Sequence, residues 1–388
     1  MSISFLVKSP SIESEFDCLI KRVGDICRIA AIRASTLDED GAFPDQDIEA
    51  LAAAGALKAP LPWDFGGLGL GTEPAGAPPL LQVLRGIGHA SLPLGRLYEG
   101  HINALSLVVR FGGANQIKSA ARDATAGLLF GVWNTQGRDG LMLEKVSSGW
   151  RLKGRKTFAS GAGYILRPLI TARTNAGELF MVLPRLEPDK HKNRADMSEW
   201  RAHGMRASAT GSYDFSGLTV GDQDIIGLNG DYHRQPYFSG GAWRFAAVQL
   251  GGIERLLDEA RFHLVDSGRA NDPQQLSRIG QAAMAAESAR LFVTRAAQIA
   301  ELPDANRDGG AVTAYVNMAR LAVERAGLDM LEIVHRSVGL ACFLGTNPIE
   351  RLSRDLATYL RQPAPDRALT EAAAHVLEQA APAADLWS

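Results

Sequence analysis

Cysteine is scarce in this 388-residue chain: Cys18, Cys27 and Cys342 are the only three, with no C-x-x-C pair and no metal-ligand spacing. That excludes a disulfide scaffold, gives no reason to expect a metal, and predicts buried, reduced thiols in a cytoplasmic protein. An excess of charge of either sign is also missing. Lys+Arg number 41 against 43 Asp+Glu, a formal net charge of −2, so charge gives no reason to expect a nucleic-acid partner. No apolar run approaches the ~18–20 residues of a membrane span. The opening MSISFLVKSP is too short in apolar run for a signal peptide. What remains is ordinary globular composition, 46% apolar and 22% charged, with length enough for two or three domains.

The hydrophobic period changes twice along the chain. Residues 1–125 read as an N-terminal helical domain: "DQDIEALAAAGAL" and "LYEGHINALSLVVRFGG" carry apolar residues at helical spacing, and Gly112 and Gly113 stop the second. Between the helices, "PWDFGGLGLG" is a glycine-rich loop. Residues 126–222 are short β-branched and aromatic runs separated by Gly, Asn, Asp or Pro, the pattern of a compact, barrel-like β domain. Within it "WRLKGRKTF" alternates Trp150, Leu152 and later Phe158 with basic residues, predicting a strand with one wet face. Residues 223–388 return to long, alanine-rich amphipathic stretches that predict a C-terminal four-helix bundle. The fold class expected is α+β, mainly α.

This order and four local signatures resemble the acyl-CoA dehydrogenase family over nearly the whole chain. They are "LAAAGALKAPLPWDFGGLGLG", "LKGRKTFASGA", "HGMRASATGSYDFSGLTV" and "NPIERLSRDL". The resemblance implies FAD held between the β domain and the bundle, and a homo-dimer or homo-tetramer that completes the cofactor site. It places Phe158 where an aromatic packs on the isoalloxazine and Ser160 where a hydroxyl bonds near the reactive nitrogen. Phe130, Val132 and Trp133 fall on the strand meeting the pyrimidine edge, with "VWNTQ" in place of Val-Thr-Glu-Pro. Across the subunit interface, Arg269 and a degenerate segment containing Arg336 and Gly339 take the places of the groups that contact the diphosphate. Arg336 stands where glutamine is usual, and a guanidinium fork suits phosphate oxygens. The basic run 189–206 reads as a solvated loop, with contact to a CoA phosphate as the functional alternative.

The family's catalytic glutamate is missing. Counting on from Pro348, its position falls at Pro363, and the alternative position on the first bundle helix falls at Trp243; no glutamate stands between Glu350 and Glu371. A positioned base is worth about 10²–10⁴-fold, so ordinary dehydrogenation requires a substitute. By resemblance, "LYEGHINAL" lines the acyl end of the substrate cavity, which makes His101 and Glu99 the replacement candidates. Two apart on a helix, they do not share a face. His335 is a further candidate, and Asp366 reads as a loop or cap residue. The activity expected is FAD-dependent oxidation of an acyl thioester or a related acyl carrier with a relocated base. The alternatives are a reduced-flavin monooxygenase served by a reductase or other electron-transfer partner, and a non-catalytic structural homologue.

Overall fold

The computed structural model describes residues 12–135, 137, 140–302 and 308–387. The opening decapeptide and Gln136 of "VWNTQ" lie outside the described residues. Five helices come first: α1 (Ile12–Arg33), α2 (Asp45–Ala53), α3 (Ala77–Ala90), α4 (Leu92–Phe111) and α5 (Ala114–Thr125). Strands β1 (Phe130–Trp133), β2 (Leu141–Val146), β3 (Gly149–Ala159), β4 (Arg167–Arg173) and β5 (Leu179–Val182) follow. After the short α6 (Pro188–His191), β6 (Ala195–Asp196), β7 (Gly211–Asp214), β8 (Thr219–Val220) and β9 (Ile225–Ile226) complete the sheet. The chain then returns to helix with α7 (Tyr237–Gly240), α8 (Trp243–Asp266), α9 (Pro273–Ala300), α10 (Gly309–Val338), α11 (Pro348–Tyr359) and α12 (Pro365–Glu378).

The strands run in the order β6-β7-β3-β2-β4-β5-β9, with β1 beside β4 and β8 beside β3. β1 and β4 are parallel, Phe130 opposite Arg167, while β2–β3 and β4–β5 are antiparallel. The bundle is built on α8, α9 and α10, which pack on one another; α12 closes against α10 and α3 against α8. The α3–α8 seam is tight because two glycines meet there. A Cβ on Gly88 would lie 2.1 Å from the Val248 carbonyl oxygen, and one on Gly251 would lie 2.1 Å from that of Arg85. Asp272 caps α9, its Oδ1 accepting from the Gln275 N–H at 3.0 Å. Asp272→Ala should cost about 1 kcal/mol, read as a shift in urea midpoint.

β3 departs from simple alternation. Its pairing with β7 slips between Lys156 and Ala159, a bulge, and Phe158 there has φ +51°. The extra residue turns the Phe158 ring outward, 62% exposed, although its even-numbered position belongs to the buried face of Leu152. Lys156 shares the parity of Leu152 and is buried with it, a charge on the inner face. Its ammonium donates to the Asn134 carbonyl and to Thr171 Oγ1, both at 3.0 Å, and burial pushes its pKa down to about 7. The thiols divide as well: Cys27 and Cys342 are buried, but Cys18 is exposed on α1. No described helix is long and apolar enough to cross a membrane, and no cluster of metal-ligating side chains occurs among the described residues.

Candidate functional site

The "RLSRDL" stretch of α11 acts as a clamp. Asp355 is buried, and its Oδ1 accepts from the Met205 N–H at 2.6 Å while Oδ2 pairs with Arg351 at 3.2 Å. Arg354 pairs with Asp38 and Glu350 and donates to the His203 carbonyl at 3.0 Å. This ties the 203–205 loop of the sheet region and the α1–α2 connection to the bundle. Beyond the clamp the 205–210 segment is stitched to the end of β3: Gly161 N–H donates to the Ser208 carbonyl, and Thr210 Oγ1 to Ser160 Oγ at 3.2 Å. Among the described residues, four that are not glycine have left-handed backbones: Phe158, Met205, Ala209 and Ala364. Three of them sit in this β3–205–210 junction. Strain of this kind persists where surrounding structure holds it, and it gathers at functional sites.

Opposite the junction, α4 presents a polar face inside the molecule. Ser91 caps the helix, its Oγ accepting from Leu94 N–H. Glu99, 2% exposed, pairs with Arg96, accepts from Asn103 Nδ2, and accepts from the Tyr359 hydroxyl of α11 at 3.4 Å. Asn103 Oδ1 in turn accepts from Arg244 Nη1 of α8 at 2.8 Å, and Arg244 Nη2 donates to Glu301 at 2.6 Å. Trp243 Nε1 donates to the same Glu301 oxygen at 3.2 Å. A chain of charged and amide groups thus runs Arg96–Glu99–Asn103–Arg244–Glu301. Burial raises the pKa of Glu99, against the opposing pull of Arg96.

The expected site residues distribute as follows. His101 is engaged at both ring nitrogens. Its Nε2 lies 2.7 Å from the Leu57 carbonyl, so Nε2 carries the proton, and Nδ1 accepts from Phe130 N–H at 3.1 Å. With both nitrogens engaged, zero exposure and a pKa pushed down to about 4 by burial, it is a neutral brace between the α2 turn and β1. Phe130 and Trp133 are buried as well. Phe130 is fully buried against His101, and Trp133 is buried against Tyr213 and Phe215, donating to the Ser160 carbonyl at 2.9 Å. Both are core residues on opposite faces of β1, Phe130 in one buried cluster and Trp133 in another, because the strand is covered on both sides; only Val132 of this strand is half-exposed. Phe158 does reach the surface, its ring edge-on to Trp200 at 5.9 Å, with Ser160 two residues on. Arg269, Arg336 and Gly339 come together at one end of the bundle. Arg269 donates to the Ser337 carbonyl at 3.1 Å, and Arg336 is exposed and pairs with Glu332 at 3.5 Å. Gly339 follows with φ +77°.

His335 Nε2 lies 3.2 Å from Ser353 Oγ, and Asp366 is exposed in the first turn of α12. At the vacated base position, the Pro363 carbonyl accepts from Arg320 at 2.7 Å. Sequence reasoning missed Arg96, Asn103, Arg244, Glu301 and Tyr359. One signal for part of this network was available: Arg96, Glu99, Asn103, Ser106 and Arg110 recur at spacings of three and four within an otherwise apolar helix. Glu301 gave none, lying 57 residues from Arg244 at the end of another helix.

Helical domain, mixed sheet and bundle in this arrangement are the acyl-CoA dehydrogenase fold. TdsC from Paenibacillus sp. A11-2, solved in complex with FMN and indole, superposes with a TM-score of 0.81 at 18% identity, over 95% of this chain and all of that one. No family model matches the sequence. Among curated proteins, the chain is 26% identical to YdbM of Bacillus subtilis (strain 168), a protein provisionally named an acyl-CoA dehydrogenase, over 90% of this chain and 94% of that protein. It is 24% identical to the dibenzothiophene monooxygenase of Rhodococcus qingshengii, over 84% of this chain and 86% of that protein.

Proposed function

We propose that this protein is a flavin-dependent oxidoreductase that works as a reduced-flavin monooxygenase on a small organic substrate, rather than as an acyl-thioester dehydrogenase. The observation that carries this reading is the buried polar chain on α4, where the resemblance would run an acyl tail. Seating a tail there would separate Glu99 from Arg96 or Arg244 from Glu301, and breaking a buried pair costs about 3–5 kcal/mol. A short tail of about three methylenes returns about 2.4 kcal/mol at ~0.8 kcal/mol each. The exchange is unfavourable. Oxygen transfer, in contrast, needs no base for an α-proton, so the engagement of His101 and Glu99 elsewhere is no obstacle. The names of the dibenzothiophene monooxygenase and of the FMN complex of TdsC agree with this reading.

The residues fit a flavin on one wall. Phe158 offers an outward ring on a strained backbone, and Ser160 keeps a hydroxyl proton to donate while accepting from Thr210. Reduced flavin would supply the activation of oxygen. The chain would bind and orient it through Phe158 and Ser160. FMN is favoured over FAD, because Arg269 and Arg336 spend hydrogen bonds and charge within their own bundle end. A separate reductase would deliver the reduced cofactor, and a homo-oligomer would complete the assembly.

The test is a pair of assays on the FMN-loaded protein. In anaerobic visible spectra, no member of an acyl-CoA panel should bleach the oxidised flavin band. With chemically reduced FMN and oxygen, mass spectrometry should detect a product of indole carrying added oxygen. Bleaching by any acyl-CoA would restore the dehydrogenase, and a protein that binds no flavin would leave the structural homologue in front.

A further inference from the structure

A crevice of about 520 Å³, a volume typical of small-molecule sites, opens between α5 and the sheet. None of the residues lining it belongs to the β3–205–210 junction or to the Arg96–Glu301 chain. Asn115, Ser119 and Arg122 face it from α5, at the spacing of one helical face. Arg167 of β4, Arg185 just beyond β5 and Asp224 complete the polar wall, and Leu183, Leu218, Val220 and Ile226 form an apolar one.

Hydrogen bonding sorts the charged groups by sign. Asp123, buried on α5, is held between two of the arginines: Oδ1 accepts from Arg185 Nη1 at 2.6 Å, and Oδ2 lies 3.0 Å from Arg167 Nε. Asp224 Oδ2 accepts from the Gly221 N–H at 2.8 Å and from Gln223 Nε2 at 3.3 Å. Both carboxylates are thus spent inside the protein. The outer cations are not. Arg185 commits Nη1 to Asp123 while its side chain stays 63% exposed, and Arg122 is exposed and makes no ion pair among the described residues. Three guanidiniums against two carboxylates leave the wall positive, with its accessible donors at the solvent.

We infer that this crevice is a second small-molecule site, one that takes a phosphate or sulfate monoester carried on an aliphatic body. A planar carboxylate serves one guanidinium fork. A tetrahedral head with three terminal oxygens can accept from Arg122 and Arg185 together, with the Ser119 hydroxyl and Asn115 amide as neutral donors in the same wall. The apolar wall receives the aliphatic chain. No aromatic side chain lines the crevice, so an isoalloxazine finds nothing to stack on there, and the site is independent of the flavin reading.

Calorimetric titration of the full-length protein, with and without FMN, compares n-hexyl phosphate, n-hexyl sulfate, inorganic phosphate and 1-hexanol. At least one ester should bind saturably and about tenfold or more tighter than hexanol or inorganic phosphate, since hydrogen bonds to a charged group and burial of the chain each contribute at that level. The tighter ester names the head group, and FMN should leave its affinity unchanged. Arg122→Gln should weaken that ester about tenfold, the loss of charge-assisted hydrogen bonds. Ser119→Leu fills the crevice while keeping both guanidiniums and should also weaken it. Lys118→Gln removes a neighbouring exposed charge that does not line the crevice and should change nothing. No saturable binding of either ester, equal affinity for hexanol or inorganic phosphate, competition with FMN, unchanged affinity in Arg122→Gln or Ser119→Leu, or an equal loss in Lys118→Gln would each overturn the assignment.

Discussion

Replacing Arg244 by alanine should destabilise the protein by about 3–5 kcal/mol, the cost of leaving a buried charge without its partner. The residue is 3% exposed and joins three elements: it donates to Asn103 on α4, to the Gly71 carbonyl in the glycine-rich loop, and to Glu301 at the end of α9. Truncation strips Glu301 of its cation, leaving it only the Trp243 N–H. A second variant separates charge from packing. Arg244→Met with Glu301→Leu removes both charges while retaining volume, and it should recover most of the loss, because a buried pair replaced by apolar groups is often neutral. Urea denaturation of the three proteins reads the result. A double variant as unstable as Arg244→Ala would mean that the hydrogen bonds to Asn103 and Gly71, rather than the ion pair, hold this junction.

Acid should destabilise the fold through His101. The imidazole titrates near 6.5 when free and is pushed down to about 4 by burial, so between these values the unfolded chain binds a proton that the folded chain refuses. Stability therefore rises with pH across this window and is lost as pH falls through it. The difference corresponds to about 3 kcal/mol by pH 4, at 1.36 kcal/mol per tenfold change in proton affinity. Structure supplies the reason: protonating Nδ1 would turn it from acceptor to donor against the Phe130 N–H. His101→Gln can keep a donor toward Leu57 and an acceptor toward Phe130 but cannot titrate, so it should flatten the acid limb between pH 6.5 and 4. An acid limb of unchanged steepness in that variant would assign the effect to other groups.

Much of the architecture was legible in the sequence because it depends on local period. Apolar spacing of three and four gave the helices on either side, and short β-branched runs between turn residues gave the sheet. The glycine stop after α4 and the Arg-Asp motif of α11 were equally plain. That His101 and Glu99 would face different ways followed from helix geometry alone: Glu99 turns toward Tyr359 and His101 toward Leu57. What each then touches depends on residues far along the chain. Tyr359 meets Glu99 across 260 positions, and Asp355 meets Met205 across 150.

The sequence by itself therefore determined which residue types were present and missing: a phenylalanine and serine at the end of β3, and no carboxylate at Pro363 or Trp243. Tertiary structure alone decided their state. A one-residue bulge, a matter of register with β7, exposed Phe158 and left Lys156 on the buried face. Cover on both faces of β1 put Phe130 into one core cluster and Trp133 into another. Packing of α4 against α8 and the end of α9 closed Glu99 and Arg244 into one network. Local period fixes where a side chain leaves its own element; whether it finds solvent, a core or a counter-charge is set by the element that comes to lie opposite.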